Sequence, residues 1–357
     1  MDSVELFGGC GGLALGIGKA GFRSLAIVEM DCEASGTLRA NGGHFGHAPG
    51  VLCQDVGTVD WTKYCGVDLV AGGPPCQPFS GGGVGAGNLD PRDKWPEAIR
   101  AVREIRPRAF LFENVKGLMR KKFEDYRNSV VRALEDEGYK VVLALVDAAD
   151  YGVPQRRHRV FFLGVRADLG IAPTAPRKTH SLERLVWDKW VDGTYWERVG
   201  ITALNGIGVS PREKQILRKL KRAGERPALL PWKTVREALL PLGDPDGVNG
   251  HVHKEGARTY PGHTGSPLDL PSKAIKAGVH GVPGGENMFV RDDGSVRYYT
   301  VREAAEIQGF PAGFELSGAW GTVMKQIGNA VPVALGKVMA TSLATAISKG
   351  STMPKVA

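Results

Sequence analysis

Four short clusters in this 357-residue chain have the residue types and spacing that chemistry needs. The first is Phe7-Gly8-Gly9-Cys10-Gly11-Gly12. Glycines there let the backbone turn sharply and approach a ligand closely. A helix that follows presents its N-terminus to a nucleotide-like cofactor. Glu29 stands about 20 residues further on, where an acidic side chain grips ribose hydroxyls. Together they point to an adenosine cofactor without saying which one; alone, the glycines would suit any tight strand-to-helix turn. The second cluster is Gly72-Gly73-Pro74-Pro75-Cys76-Gln77-Pro78-Phe79-Ser80. A cysteine bounded by prolines sits in a stiff loop, and stiffness holds a thiol at attack geometry. Cys76 is therefore a candidate nucleophile; the alternative is a small buried hydrophobe, as most free cysteines are. The third is Phe112-Glu113-Asn114-Val115, where a carboxylate at a strand end can act as an acid and Asn114 could instead cap a helix. The fourth is Gln155-Arg156-Arg157-His158-Arg159. Its arginines suit phosphate contacts and the orientation of a planar base, or simply an exposed basic turn.

The elements that must position these clusters alternate regularly over the first 165 residues. Strands are read at Ser3 to Phe7, Ser24 to Glu29, Asp68 to Gly72, Ala109 to Phe112, Val141 to Val146 and Arg159 to Val165. Helices are read at Leu13 to Ala20, Cys32 to Asn41, Pro96 to Ile105 and Asp125 to Gly138. Strands alternating with helices of this size imply an α/β fold with a doubly wound, mostly parallel sheet. From about residue 166 to 296 the rhythm breaks into Pro, Gly, His and Trp, with Trp187, Trp190, Tyr195 and Trp196 clustered and Gly284-Gly285 marking a turn. This reads as a second, irregular domain whose Trp residues form its own core. Regular helices return at Thr300 to Gln308 and Val331 to Ala346, and Lys349 to Ala357 reads as a frayed tail.

Composition narrows the function classes. Lys and Arg exceed Asp and Glu by 46 to 38, a formal charge of +8, with 42% hydrophobic and 24% charged residues. The excess suits a polyanionic partner. Arg212 to Arg226 is the densest run, with seven basic residues against two acidic ones; a solvated helix face is its bland reading. No apolar stretch of about 18 residues suggests a membrane span, and the N-terminus lacks the pattern of a signal peptide. The five cysteines, Cys10, Cys32, Cys53, Cys65 and Cys76, are odd in number and form no Cys-x-x-Cys pair. Reduced thiols are expected, rather than a disulfide framework or a zinc site.

Taken in order, the clusters resemble the cytosine-C5 DNA methyltransferases of bacteria and phages, a restriction–modification type of enzyme. The likeness covers the chain except the variable region between about 166 and 270. Arg302-Glu303…Gln308-Gly309-Phe310-Pro311 and Gln326-Ile327-Gly328-Asn329-Ala330-Val331-Pro332 extend it. The resemblance implies the S-adenosylmethionine-dependent methyltransferase fold and that cofactor. Phe7, Gly9, Cys10 (as filler) and Gly12 would surround it, Glu29 would hold the ribose, Met30 would pack on the adenine edge and Asp55 would bond the adenine amine. Val56, Gly73, Pro75, Asn329 and Val331 complete the implied pocket. Cys76 would attack C6 of cytosine, Glu113 would contact N3 and the exocyclic amine, and Arg157 and Arg159 would orient the base and the catalytic loop. The target base must be flipped out of the duplex, and Gly81 to Asp93 would be the loop that closes over it, or a plain flexible connection. Residues 1-165 plus 320-357 would form the catalytic domain and 166-319 the target-recognition domain. The Arg212 to Arg226 run, His251, His253, His263 and the Trp cluster are candidates for reading sequence.

The implied partner is double-stranded DNA. No metal site and no membrane contact are implied, a monomer is expected, and a cognate restriction endonuclease would not be physically required. The implied setting is the cytoplasm of a bacterial or phage-infected cell; a start almost on the first motif favours a compact prokaryotic or phage enzyme. A tRNA cytosine-5 methyltransferase shares scaffold and motifs, but the large irregular domain favours DNA. A NAD-dependent oxidoreductase would leave Pro75-Cys76-Gln77 and Gln155 to Arg159 unexplained. A catalytically silent DNA-binding relative should lack Cys76 or Glu113.

Overall fold

The structure is a computed structural model, which describes residues 1–75, 93–201, 208–261, 263–277 and 287–351. Cys76, the glycine-rich segment up to Arg92, Gly284-Gly285 and the end of the tail lie outside the described residues.

The alternating pattern becomes β1 (Asp2–Leu6), α1 (Gly12–Lys19), β2 (Arg23–Val28), α2 (Cys32–Ala40), β3 (Gly50–Leu52), β4 (Leu69–Gly72), α3 (Trp95–Ile105), β5 (Ala109–Val115), α4 (Glu124–Asp136), β6 (Tyr139–Asp147) and β7 (His158–Arg166). The seven strands are ordered β3-β2-β1-β4-β5-β7-β6. All neighbours from β3 to β5 are parallel, while β7 runs antiparallel to both β5 and β6. The link from β6 to β7 is too short for a crossover helix, so antiparallel pairing is its available solution. The chain winds outward in both directions from β1 and β4. The crevice at their carboxyl ends is therefore the topological switch point, where such sheets bind ligands.

Strand β5 runs through Glu113 and Asn114 instead of stopping before them. Asn114 is thus not a helix cap. Its amide donates to the carbonyl of Pro74 (3.1 Å), and its Oδ1 accepts from the Val115 amide (2.9 Å).

Both faces of the sheet are covered. Val4, Leu6, Val70, Phe110, Phe112 and Phe162 pack with Trp95 and Val102 of α3 on one face. On the other, Leu69, Leu111, Phe161 and Leu163 meet the final helix α11 (Val333–Ser351), named after α5–α10 below, through Leu335, Met339, Leu343 and Ile347. Gly16 of α1 lies against this helix so closely that a Cβ would sit 2.7 Å from the Val333 carbonyl oxygen. The span Trp320–Gly350 is long and apolar enough to cross a membrane by composition. Its apolar residues belong to the protein core instead.

The irregular region contains α5 (Leu182–Trp190), α6 (Thr194–Arg198), α7 (Pro211–Ala223) and α8 (Val235–Leu239). Tyr195, Trp196 and Trp232 are buried with Leu185 and Val186, and Trp187 and Trp190 pack against them. The aromatic cluster is thus this region's core. Buried Lys189 pairs with Glu213 (2.5 Å) and faces the rings of Trp190, Tyr195 and Trp196. A buried ion pair is tolerated when both charges are bonded, as here. A further core joins α9 (Val301–Gln308) and α10 (Trp320–Asn329) to Ala14 and Leu15 of α1, Ile27 of β2 and Leu38 of α2. Buried residues between 301 and 316 thus pack with α1, β2 and α2.

Candidate active site

Each expected cofactor residue among those described lies at the carboxyl edge of the sheet or in a segment packed against it. The β1–α1 turn is tight enough that Phe7 takes a positive φ of 57°, and Gly9 and Gly11 follow at 54° and 91°. A phenylalanine in that conformation is strained, which marks a turn fixed by its surroundings. The Gly9 amide donates to Glu29 Oε2 (2.8 Å), and the Asp31 amide donates to Oε1 (2.7 Å). Two backbone donors thus hold the Glu29 carboxylate beside the glycine turn. Among the described residues, nothing lies within 4 Å of where a side chain at Gly9 would begin. That opening is a cradle for a ligand. Gly12 has a different reason: a Cβ there would come within 2.4 Å of the Val331 carbonyl oxygen. It lets the last motif pack onto α1.

The remaining pocket residues divide by exposure. Met30 is 65% exposed, as an apolar platform for a flat ring would be. Asp55 accepts from the Gly57 amide (2.7 Å) and pairs with Lys94 (3.0 Å). Those two contacts, the Gly57 amide first, hold its carboxyl below the usual carboxylate range. It stays an acceptor for an amine. The spacing gave no sign of Lys94, because its partner is 39 residues away. Val56 has its side chain in the core, and its carbonyl accepts from Arg100 (2.9 Å). Cys10 is fully buried with Leu38 and Phe45. Burial pushes its thiol up to about 12, which disfavours the reactive thiolate. Asn329 is exposed at the end of α10, and Val331 is buried beneath it.

One acid escaped the sequence reading. Glu5 is 2% exposed, and its Oε2 has no hydrogen-bond partner among the described residues. Burial, and then the Glu29 charge, push its carboxyl well above the usual range. The signal was present as a lone acid in the buried strand Val4-Glu5-Leu6. A cofactor carrying positive charge fits a pocket lined by Glu29 and backed by this orphaned acid.

The segment that follows β4, up to Pro75, is held against β5. Gly72 packs so tightly on β1 that a Cβ would lie 2.5 Å from the Leu6 carbonyl oxygen. Glu113 Oε2 lies 3.3 Å from the equivalent position on Gly73. With Asn114 bonded to Pro74, the loop through Pro75 toward Cys76 leaves the sheet beside Glu113. Glu113 is buried and ion-paired with Arg159 of β7. Antiparallel pairing sets Val115 opposite Arg159, which brings acid and arginine together.

Residues 1–345 match the C-5 cytosine-specific DNA methylase family. The chain belongs to that family. It is 35% identical to the Type II methyltransferase M.PspPI of Psychrobacter sp. (strain TA137), over 94% of this chain and 78% of that protein. It is 31% identical to M.NgoMIV of Neisseria gonorrhoeae, over 98% and 99%. Among solved structures, a putative DNA modification methyltransferase encoded within an E. coli prophage aligns with a TM-score of 0.61 at 22% identity, over 98% and 99% of the chains. S. pombe Dnmt2 methyltransferase aligns at 0.62 and 16%, over 98% of each. These two likenesses concern the fold.

In this methylase Gln155 and Arg157 are buried scaffold, while Arg156, His158 and Arg159 are partly exposed. Gln155 donates to Gln308 Oε1 (3.0 Å) and accepts from the Ile275 amide (3.1 Å). Gln308 in turn donates to the Ile327 carbonyl (2.6 Å). Arg157 was expected to orient the base. Its side chain is instead 1% exposed and donates to the carbonyls of Ile275 (3.0 Å) and Gly328 (2.7 Å). It ties the irregular region to the last motif. Asp147 fixes the turn by accepting from the Arg157 amide (3.0 Å) and pairing with Arg156 (2.6 Å). Arg302 likewise donates to the carbonyls of Phe310 and Pro311. The bonds of Gln155 and Arg157 join residues more than 100 positions apart, so spacing did not reveal them.

The methylase's candidate reading surface also sorts by exposure. Helix α7 opens with a capping box from Ser210 and Glu213, and Arg212, Lys214, Arg218, Lys219, Lys221 and Arg222 are exposed. Arg226 pairs with Asp188 and Asp192. His251 is 3% exposed and bonded to Thr300 Oγ1 (2.9 Å), which places it in scaffold away from any base edge. His263 stacks on Tyr260, and His253 is exposed. Cys32 and Cys53 are not core residues. They meet at the surface, with their sulfurs 3.0 Å apart.

Proposed function

We propose that this chain transfers a methyl group from S-adenosylmethionine to C5 of a flipped cytosine in a specific duplex DNA sequence, through a transient Cys76–C6 bond. The observation that carries the reading is Glu113, buried and paired with Arg159 beside the Pro74-anchored loop that leads into Cys76. The cofactor, when bound, supplies an electrophilic methyl group on a sulfonium sulfur.

C5 of cytosine is a weak nucleophile. Addition of the Cys76 thiolate to C6 turns the ring into an enamine-like species, and covalent catalysis of this kind divides one hard step into easier ones. Glu113 hydrogen-bonds the N3 edge and the exocyclic amine and favours a proton on N3 as the ring gains electron density. Arg159 pairs with the Glu113 carboxylate and aims it, and its positive charge favours a nearby thiolate. Arg157 is a positioning residue that locks the junction behind the site. Loss of the C5 proton after transfer expels Cys76 and restores the aromatic ring. Glu29 accepts from ribose hydroxyls and Asp55 from the adenine amine, and the Glu29 charge favours positive charge in the pocket.

Exposed cations of α7 meet DNA phosphates, which position the duplex while base-edge contacts specify it. The division of the chain into residues 1-165 plus 320-357 and 166-319 remains part of this proposal. Bisulfite sequencing of DNA from cells producing the protein, beside methyl incorporation into tRNA, tests it. Conversion-resistant cytosines at one recurring sequence are expected. Methylation of tRNA alone would overturn the DNA reading.

A further inference from the structure

We propose that Cys32 and Cys53 form a redox-active dithiol that closes reversibly to a disulfide at the rim of the adenosine pocket and thereby weakens cofactor binding. The cofactor part rests on the function proposed above; the disulfide itself does not.

Four observations on the geometry carry it. The sulfurs lie 3.0 Å apart although the residues are 21 positions apart. Both thiols reach solvent, Cys32 fully and Cys53 in part. Cys32 is the first residue of α2, anchored by the Asp31 cap whose carboxylate accepts from the amides of Glu33 and Ala34. Cys53 follows β3 and faces the thiol of Cys32, the hydroxyl of Ser35 and the guanidinium of Arg39. Those groups, the Cys32 thiol first, lower the Cys53 thiol, while the bond to Cys53 raises Cys32. One sulfur is thus poised as attacker and the other as resolver, an arrangement suited to redox sensing. The other described thiols differ. Cys10 is buried and inert, and Cys65 donates to the Glu104 carbonyl (3.2 Å).

The chemistry balances with a peroxide as oxidant. The Cys53 thiolate attacks one peroxide oxygen, the O–O bond breaks, and a sulfenic acid and hydroxide form. The Cys32 sulfur attacks the sulfenic sulfur, the S–O bond breaks, and the oxygen leaves as water. Two thiols and one hydrogen peroxide give one disulfide and two waters, and a dithiol reductant reverses the step. Closure to about 2.05 Å draws the two segments together by about 1 Å. Asp31, next to Cys32, supplies an amide to Glu29, and the Glu29 amide donates to the carbonyl of Leu52, next to Cys53 (3.0 Å). Closure therefore shifts the groups that aim Glu29.

The test treats the reduced full-length protein with equimolar hydrogen peroxide, followed by peptide mapping and by titration with S-adenosylhomocysteine. A Cys32–Cys53 linked peptide, released by dithiothreitol, is expected. Cys32→Ser should leave a Cys53 sulfenic acid that dimedone captures, and Cys76→Ala should still form the link. The oxidised protein should bind about tenfold more weakly, with no peroxide effect in Cys32→Ser. Free, alkylatable Cys32 and Cys53 after peroxide would overturn the dithiol. A mapped disulfide with unchanged affinity would overturn its coupling to the pocket. Failure of the reduced protein to bind at all would instead contradict the proposed function.

Discussion

Glu113 and Glu5 are two buried acids with opposite circumstances, and each makes a prediction. Glu113 has a cation, Arg159, against it. Glu113→Gln keeps shape and removes the charge that favours a proton on N3. Single-turnover methyl transfer should slow about 10²- to 10⁴-fold, while cofactor affinity stays within about threefold. Glu5 has no such partner, and its carboxyl is pushed upward by burial. An acid whose folded value is raised binds more protons folded than unfolded. Its stabilising effect is complete below the ordinary Glu range and is lost as pH rises from there toward the folded value. Thermal melts of the cofactor-free protein should therefore show stability falling over that window, and Glu5→Gln should flatten the slope. An unchanged slope would mean that Glu5 is solvated. At this scale the sequence was legible where a motif is contiguous: Glu29 meets the glycine turn about 20 residues before it, and Glu113 lies in the buried strand that the local pattern indicated. It was illegible where the partner comes from another segment, as with Lys94 on Asp55 or Arg159 on Glu113.

Elements explain the glycines and arginines better than a ligand does. Gly12 is expected from its motif to surround the cofactor, yet the nearest obstacle to a side chain there is the Val331 carbonyl. Gly12→Ala should push α1 from the last motif and cost about 1–3 kcal/mol, as overpacking does, read as a lower denaturant midpoint. Arg157 spans the carbonyls of Ile275 and Gly328. Removing it leaves buried acceptors unbonded, at about 1–3 kcal/mol each. Arg157→Ala should lower Tm, whereas an exposed, base-facing arginine would lower activity with Tm unchanged. The strands and helices of the first 165 residues were readable because each has a clear period and its own breakers. Strand β5 ran on through Glu113 and Asn114 because pairing with β7 continues there, a tertiary effect invisible in a local pattern. The irregular region offered no period at all, and its helices are held by the aromatic core around Trp196 and Trp232.

At the scale of the molecule, the sheet edge collects the segments proposed to hold the cofactor and to lead to the nucleophile, while part of the charge of +8 lies on exposed α7. DNA affinity should fall as salt rises, because cations that meet phosphates release counterions. Replacing Lys214, Arg218, Lys219 and Arg222 by Gln should weaken binding to all sequences alike and flatten the log–log salt slope by about 0.9 for each phosphate no longer neutralised. A salt slope unaffected by these changes would assign α7 to solvent alone. The central claim is that this scaffold presents Cys76 for covalent attack on cytosine. It is tested most directly by duplex DNA carrying 5-fluorocytosine at the target position, incubated with S-adenosylmethionine and run on a denaturing gel. Fluorine at C5 cannot leave as a proton, so the wild-type protein should remain covalently joined to the DNA and Cys76→Ala should not. A complex that survives denaturation with Cys76→Ala, or none with the wild type on DNA it methylates, would contradict the account.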